Sequence, residues 1–182
     1  MDSQQDTALD QFFIKEQTRA YKMAYAMIQN REDALELVQD SMMVLVQKYR
    51  DKHADQWILL FYRILQNKIK DKFRQSNFRN LFHVFLPASQ NCEKLSNPIQ
   101  SIADENQQNP QQELEQNDSL QQIITALKTL PLRQQQTFLM RAWQEFSVRE
   151  TAYTLNISEG SVKTHYSRAI NHLRETLGDS DV

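Results

Sequence analysis

Hydrogen-bonding side chains recur on one arc of a helix predicted near the carboxyl end of the chain. At about 100° per residue, Lys163, Thr164, Ser167 and Arg168 fall together, with His165 near the edge of the arc. Donors on the first half of a helix are what reading base edges in a major groove requires. An ordinary helical hairpin with a hydrated face would share this geometry, so the pattern alone leaves both interpretations open.

Local signals predict the elements that would position this arc. Ser147 and Glu150 have the spacing of a capping box at the start of a short helix. Asn156 tolerates the left-handed conformation of a sharp turn, and Ser158 is typical of the first residue of a further helix. The segment is therefore predicted to be a helix–turn–helix whose second helix presents the arc.

A second candidate surface lies between 63 and 80, where six Lys and Arg residues stand against one acid. Aromatic residues such as Tyr62 and Phe73 are interleaved with them. Cations neutralise phosphates, and aromatic rings stack on bases that are exposed from a strand. The combination of the two favours nucleic-acid binding. A hydrated basic face over an aromatic core would give the same pattern.

A third candidate surface is a polar helix face that carries one apolar side chain. Glu36, Gln39 and Asp40 fall opposite the apolar stripe of their predicted helix, and Met43 lies among them. An apolar residue within a polar face indicates a protein partner. A hydrated face is the simpler alternative.

Composition favours helices and excludes several kinds of site. The chain has 2 Gly and 4 Pro in 182 residues, too few for turn-rich β folds or Gly-loop nucleotide folds. Its single cysteine, Cys92, excludes an intramolecular disulfide and a CxxC zinc site. The four His lack metal-ligand spacing and no hydrolase or nucleotide-binding motif occurs, so we expect no catalytic site, metal or cofactor.

A polar break divides the chain into two parts. Between 90 and 118, 12 of the 29 residues are Asn or Gln, and large aliphatic residues are sparse. Such a segment buries too little apolar surface to offset its ordering entropy, although a loop packed on a domain surface is the alternative. We predict an all-α protein with two small helical domains, 1–86 and 119–182, joined by a flexible acidic linker at 87–118. No apolar run reaches about 18 residues and the amino terminus is polar, so we expect no membrane insertion and a cytoplasmic location.

The three candidate surfaces, taken in order, resemble a known family. The chain is similar to bacterial RNA polymerase sigma factors of the small, two-domain, extracytoplasmic-function type. Three stretches carry the resemblance: DALELVQDSM at 33–42, LFYRILQN at 60–67 followed by Asp71 and Arg74, and ISEGSVK at 157–163 followed by Arg168. They look like the family's polymerase-binding helix, its promoter-melting and −10-reading helix, and its −35-reading domain. The first domain is thus region 2-like and the second region 4-like.

The resemblance implies a subunit without enzymatic activity that gives core RNA polymerase its promoter recognition and helps to melt promoter DNA. The basic surface between 63 and 80 would bind the −10 region. The loop at 50–56, beside Trp57, would receive a flipped base. The first domain would dock on the clamp coiled coil of the polymerase's largest subunit, and the C-terminal helices would hold the flap of the second-largest. The implied contacts are Glu36, Gln39, Asp40 and Met43 for polymerase; Trp57, Arg63, Asn67, Lys68, Lys70, Asp71, Lys72 and Arg74 for the −10 region; and Lys163, Thr164, His165, Ser167 and Arg168 for the −35 element. An anti-sigma factor is a further candidate partner, and the free chain is expected to be a monomer.

Two other functions use fewer of these features. A stand-alone helix–turn–helix repressor or activator explains 147–173 but leaves the basic helix and the 33–42 stretch unused. A helical adaptor without a DNA role treats both basic regions as hydrated faces. Binding to core polymerase and binding to duplex DNA without polymerase separate the three hypotheses.

Overall fold

The structure, a computed structural model, describes residues 2–85 and 122–178, with side chains described at 5–75 and 122–178. Its amino-terminal part contains α1 (Asp2–Ile28), α2 (Arg31–Tyr49) and α3 (Ala54–Phe85). Its carboxy-terminal part contains α4 (122–129), α5 (Leu132–Phe138) continued by a π-helical turn (Leu139–Trp143), α6 (Val148–Leu155) and α7 (Glu159–Leu177). The prediction of an all-α fold with two helical domains is confirmed. The predicted linker lies outside the described residues, and the exact domain boundaries stay a prediction.

One apolar core holds the three amino-terminal helices together. Met23 of α1, Leu45 of α2, and Phe61 and Leu65 of α3 are buried in it. Each such side chain taken out of water stabilises the fold by about 1.5–3 kcal/mol. The spacing by three and four residues that predicted the helices is therefore the spacing of the residues that meet in this core.

The helix–turn–helix is built by the local signals that predicted it. The side chains and backbone amides of Ser147 and Glu150 form the reciprocal capping box at the start of α6. Asn156 has φ 52° and ψ 55°, the left-handed conformation, between α6 and α7. Ser158 then caps α7 by accepting a hydrogen bond from the backbone amide of Ser161 at 3.1 Å. Because each signal acts within four residues, its effect could be predicted without knowledge of the tertiary fold.

Two helix boundaries and one helical turn differ from the sequence expectations. The helix α3 begins at Ala54 rather than at Trp57, which shortens the loop expected at 50–56. Pro131 is the N-cap of α5 and precedes its first turn. The π-helical turn has no counterpart in the sequence pattern; in it the backbone amide of Gln144 donates to the Leu139 carbonyl at 3.1 Å.

Neither a membrane span nor a metal cluster is found in the described part of the chain. No described helix combines the length and the apolar character needed to cross a bilayer. The described residues also bring together no three His, Cys, Asp or Glu side chains that could hold a metal ion.

Candidate nucleic-acid interface

The outer arc of α7 presents the side chains predicted to read DNA. Lys163, Thr164, Ser167 and Arg168 are all exposed, while Val162, Ala169 and Leu173 bury the opposite face of the helix. Among the described residues neither Lys163 nor Arg168 has an ion-pair partner. Both cations are therefore available to bind an anion or a base edge.

His165 differs from the other four residues predicted for this surface. Its ring is partly buried, and its Nδ1 atom is inaccessible to water and without a hydrogen-bond partner in the described part of the chain. Burial lowers the pKa of His165, and the positive charges of Arg168 and Arg133 lower it further. The ring is therefore neutral at pH 7 and adds no positive charge to the arc.

The residues predicted to contact the −10 region do not all leave α3 in the same direction. Five of them lie on one stripe, within about 100° of arc around the helix. Of these, Asn67, Asp71 and Arg74 are exposed, and Arg63 and Lys70 are partly buried. This stripe, named here the α3 stripe, comprises Arg63, Asn67, Lys70, Asp71 and Arg74.

Lys68 and Lys72 leave α3 on the side that faces α2 and are engaged there by acids. The Nζ atom of Lys68 lies 2.8 Å from Oδ2 of Asp40, and that of Lys72 lies 2.6 Å from Oδ1 of Asp33. The sequence could not show this pairing, because it depends on how α2 and α3 are aligned. Both lysines support the domain in this conformation, and their predicted contact with DNA stays a prediction.

The expected contact of Trp57 with the −10 region is not supported by the position of its side chain. Its side chain is 2% exposed, and its ring packs edge-on against Phe12 in the core. Its Nε1 atom donates to the Tyr49 carbonyl at 3.2 Å, which ties the start of α3 to the end of α2. A buried and hydrogen-bonded indole cannot stack on a base, so we leave Trp57 out of the proposed DNA contacts.

The face predicted to bind polymerase is largely open to solvent. Glu36 and Gln39 are exposed, and the side chain of Met43 is 58% exposed. Leu35 and Val46 on the same helix are also exposed large apolar residues. Of the four predicted contacts, Asp40 is the one that has an ion-pair partner among the described residues, namely Lys68. The arrangement is an apolar patch with an acidic rim, a composition that suits a protein partner.

A second apolar surface lies in the carboxy-terminal domain. A groove of about 270 Å³ opens between α4, α5 and α7. Its lining is entirely apolar or aromatic: Ile123, Phe138, Ala142, Tyr166, Ile170, Leu173 and Leu177. About the helix axis Ile170 lies only about 20° from Lys163 but about 160° from Arg168, so the groove borders the edge of the arc that carries Lys163.

Sequence reasoning missed one residue that positions the helix–turn–helix. The guanidinium of Arg133 donates to the carbonyl of Leu155, at the end of α6, and to the side chain of Gln136, both at 3.2 Å. A cation at a helix carboxyl end satisfies a carbonyl that has no partner within the helix. Arg133 and Leu155 are 22 residues apart, so no local pattern indicates this contact.

Comparisons with known proteins agree with this geometry. Residues 120–173 match the family described as Sigma-70, region 4. The carboxy-terminal part of this chain is thus similar to region 4 of sigma-70 factors. The resemblance to sigma factors that the sequence suggested is thereby confirmed for this part of the chain.

Curated relatives of the region 4 domain are sigma factors. The chain is 37% identical over 60 residues to an RNA polymerase sigma-E factor of Streptomyces antibioticus, covering 33% of each protein. It is 31% identical over 87 residues to the RNA polymerase sigma factor FliA of Salmonella typhimurium, covering 47% of this chain and 36% of that protein. The chain thus spans about a third of the length of the curated relatives it matches.

Solved structures extend the likeness of fold beyond region 4. The sigma factor RpoE of Bartonella quintana, solved with the anti-sigma factor NepR, superposes with a TM-score of 0.67 at 20% identity. That match covers 95% of this chain and 98% of RpoE. CnrH, solved with the cytosolic domain of CnrY, superposes with a TM-score of 0.62 at 17% identity, covering 96% of this chain and 90% of CnrH. The overall fold is therefore that of these proteins.

Proposed function

We propose that this protein is a cytoplasmic sigma factor that binds core RNA polymerase and directs it to promoter DNA for transcription initiation. One observation carries the proposal: a region 4 domain presents Lys163, Thr164, Ser167 and Arg168 exposed on the outer arc of its recognition helix. These side chains would read the −35 element in the major groove. The protein has no catalytic role in this scheme.

The α3 stripe would hold the −10 region and its displaced strand. Arg63, Lys70 and Arg74 supply the cations that bind phosphates, and Asn67 supplies an amide that can bond a base edge. Asp71 lies among them and disfavours phosphate in its own immediate neighbourhood. The contribution of this stripe to promoter melting belongs to the same proposal.

Two apolar surfaces would attach the protein to polymerase. The patch around Met43 on α2 would meet the clamp of the largest subunit, with Glu36, Gln39 and Asp40 at its rim. The groove between α4, α5 and α7 would receive the flap of the second-largest subunit. Attachment of both domains to one enzyme raises their effective concentration at the promoter. Anti-sigma factors are proposed as regulators, since both matched structures contain a second protein of which one is named an anti-sigma factor.

Co-purification with core polymerase and transcription from a mapped promoter test this proposal. Transcript start sites mapped after overexpression supply the template for initiation by reconstituted polymerase. We expect specific initiation only when the chain is added. Tight binding to duplex DNA without polymerase would instead indicate a stand-alone regulator, and neither activity would indicate an adaptor.

Variants on α2 make the polymerase test specific. Glu36→Ala removes an exposed charge from the predicted binding face, and we expect it to weaken co-purification in the absence of DNA. Glu175→Ala, an exposed acid near the end of α7, is the matched control and should bind normally. Equal retention of both variants would contradict the assignment of the α2 face. Asp40→Ala should also weaken co-purification, although it additionally releases Lys68.

A further inference from the structure

Two ion pairs join α2 to α3, and one of them links surfaces that are proposed for different partners. The Nζ atom of Lys68 lies 2.8 Å from Oδ2 of Asp40, and the Nζ atom of Lys72 lies 2.6 Å from Oδ1 of Asp33. Asp40 belongs to the face of α2 proposed for polymerase, and Lys68 to the residues predicted to contact the −10 region. A single contact therefore engages one group from each surface.

The two members of this ion pair differ in their access to solvent. The side chain of Asp40 is 49% exposed, whereas that of Lys68 is 27% exposed. About the axis of α2, Asp40 lies roughly 40° from Glu36 and 60° from Met43, and both of these side chains are exposed. A protein that docks on this face therefore reaches the carboxylate of Asp40 from outside, while Lys68 contacts the same carboxylate from α3.

Lys68 lies next to the α3 stripe although its ammonium is bound on the side of α2. About the axis of α3 it is roughly 60° from Asp71, the closest member of the stripe by angle, whereas Lys72 is roughly 100° from Asp71. The four-carbon stem of a lysine is flexible, so its ammonium can change partners while the helix stays in place. Released from Asp40, Lys68 would add a cation at the edge of the α3 stripe, beside the one acid of that stripe.

The ion pair is open to exchange with a cation of another protein. A partly exposed ion pair is weak, because both ions are well hydrated when they separate. An arginine of a docking partner bonds both oxygens of a carboxylate through two parallel hydrogen bonds, which a lysine cannot do. Such an arginine would displace Lys68 from Asp40. The packing of α2 on α3 would survive, because it depends on buried side chains such as Leu45 and Leu65.

We propose that the ion pair between Asp40 and Lys68 couples the two surfaces: an arginine of polymerase takes over the carboxylate of Asp40 and releases Lys68, which then binds a phosphate of the −10 region. Binding of polymerase thus strengthens binding of DNA without a movement of the helices. By linkage, DNA that captures Lys68 strengthens binding of polymerase by the same factor. The coupling rests on the proposed function, which supplies both partners, but the ion pair is a property of the chain alone.

A mutant cycle on DNA affinity tests the ion pair in the free chain. The probe is a fluorescent single strand that carries the −10 region of a mapped promoter. Asp40→Asn keeps the shape of the side chain and removes its charge, so it should raise the affinity for this strand by up to about fivefold. Lys68→Gln alone should leave the affinity nearly unchanged, because Lys68 is already paired. In the Asp40→Asn background, Lys68→Gln should abolish the gain.

Glu36→Gln is the matched control for the loss of one negative charge. Glu36 is exposed on the same face of α2, one turn before Asp40, and has no ion-pair partner in the described part of the chain. This variant of the free chain should bind the strand as the unchanged chain does. Equal gains for Glu36→Gln and Asp40→Asn, or equal effects of Lys68→Gln in both backgrounds, would show that net charge alone acts and would overturn the proposal.

The coupling to polymerase is measured with the same strand and the reconstituted holoenzyme, and core polymerase alone corrects for binding of the strand to the other subunits. In the holoenzyme Lys68 is released, so Lys68→Gln should weaken binding by up to about fivefold. An effect as small as in the free chain would mean that Lys68 stays with Asp40, and the proposal would be wrong. Failure of the unchanged chain to co-purify with polymerase would instead overturn the proposed function, whatever the free-chain cycle shows.

Discussion

The two surfaces proposed to bind DNA differ in how their cations are held. On α7, Lys163 and Arg168 project from a helix whose start is capped by Ser158, and neither has an acidic partner among the described residues. On α3, Lys68 forms an ion pair with Asp40 of α2, and the guanidinium of Arg63 lies over the Tyr153 ring. The surface proposed for the −35 element is therefore ready to bind as folded, whereas some cations of the surface proposed for the −10 region also make contacts within the protein.

The largest effect is expected for Arg168, a cation of α7 that has no ion-pair partner in the described part of the chain. Arg168→Ala should weaken use of the −35 element by about 1–3 kcal/mol, roughly 5- to 150-fold in affinity for a region 4 target duplex. Lys128→Ala removes an exposed cation of α4, outside the arc, and should bind within twofold of the unchanged chain. Binding assays at one fixed salt concentration check both. Equal losses for the two variants would mean that charge alone, and not the arc, determines affinity.

The turn at Asn156, between α6 and α7, offers a way to disturb the position of α7. Asn156→Val places a β-branched residue in the left-handed conformation and should reduce the free energy of unfolding by about 1–2 kcal/mol. Urea unfolding measures this loss, and binding to the −35 duplex should fall with it. Asn171→Val, on an exposed position of α7, is the control for the same change in composition. A turn variant as stable as its control would show that the turn is not needed to position α7.

A double-mutant cycle tests whether the ion pair between Lys68 of α3 and Asp40 of α2 contributes to stability. Lys68→Ala and Asp40→Ala should each reduce stability, with a coupling energy of up to about 1 kcal/mol that decreases as salt is added. Lys163→Ala, which breaks no ion pair, should change stability by less than about 0.5 kcal/mol. Denaturant unfolding at low and high salt provides both values. A coupling energy of zero would make the cations of the two surfaces equivalent.

The smallest expected effect is a pH dependence at His165. Its pKa is below the ordinary value of 6.5 in the folded protein, mainly because of burial. Below that ordinary value the unfolded chain takes up the proton first, so His165 lowers stability as the pH falls from 7.5 to 5.5. His165→Asn should lose less stability over this interval than the unchanged chain, measured as the free energy of unfolding at each pH. His53→Asn, in an exposed loop of the other domain, controls for the loss of an imidazole, and a slope no different from that of His165→Asn would disprove the assignment.

Features that depend on near neighbours in the sequence were predictable, and features that depend on how helices align were not. Ser147, Glu150, Asn156 and Ser158 act within four residues, so the helix–turn–helix and its arc could be derived from the chain alone. The apolar spacing likewise predicted α1 to α3. The same spacing does not show which side of α3 its first residues face, so the burial of Trp57 in the core could not be predicted from the sequence.

The missed interactions all join distant segments. Asp40 and Lys68 are 28 residues apart, and Gln144 and Tyr62 are 82 apart. Charge counting therefore predicts a basic helix but cannot tell Lys68 and Lys72, which pair with acids, from the cations of the α3 stripe. The difference between α3 and α7 arises only on folding, because two similar patterns of cations in the sequence acquire different neighbours in the structure.

The placement of Trp143 gives the molecule an optical reporter of its own. The chain contains two tryptophans, one sealed in the amino-terminal core and the other 38% exposed beside the contact with Arg19. Any change at this contact would alter the surroundings of the second indole and leave the first untouched. Quenching of its fluorescence by iodide would then report that change in unlabelled protein, with Trp57 as an internal standard in the same emission spectrum.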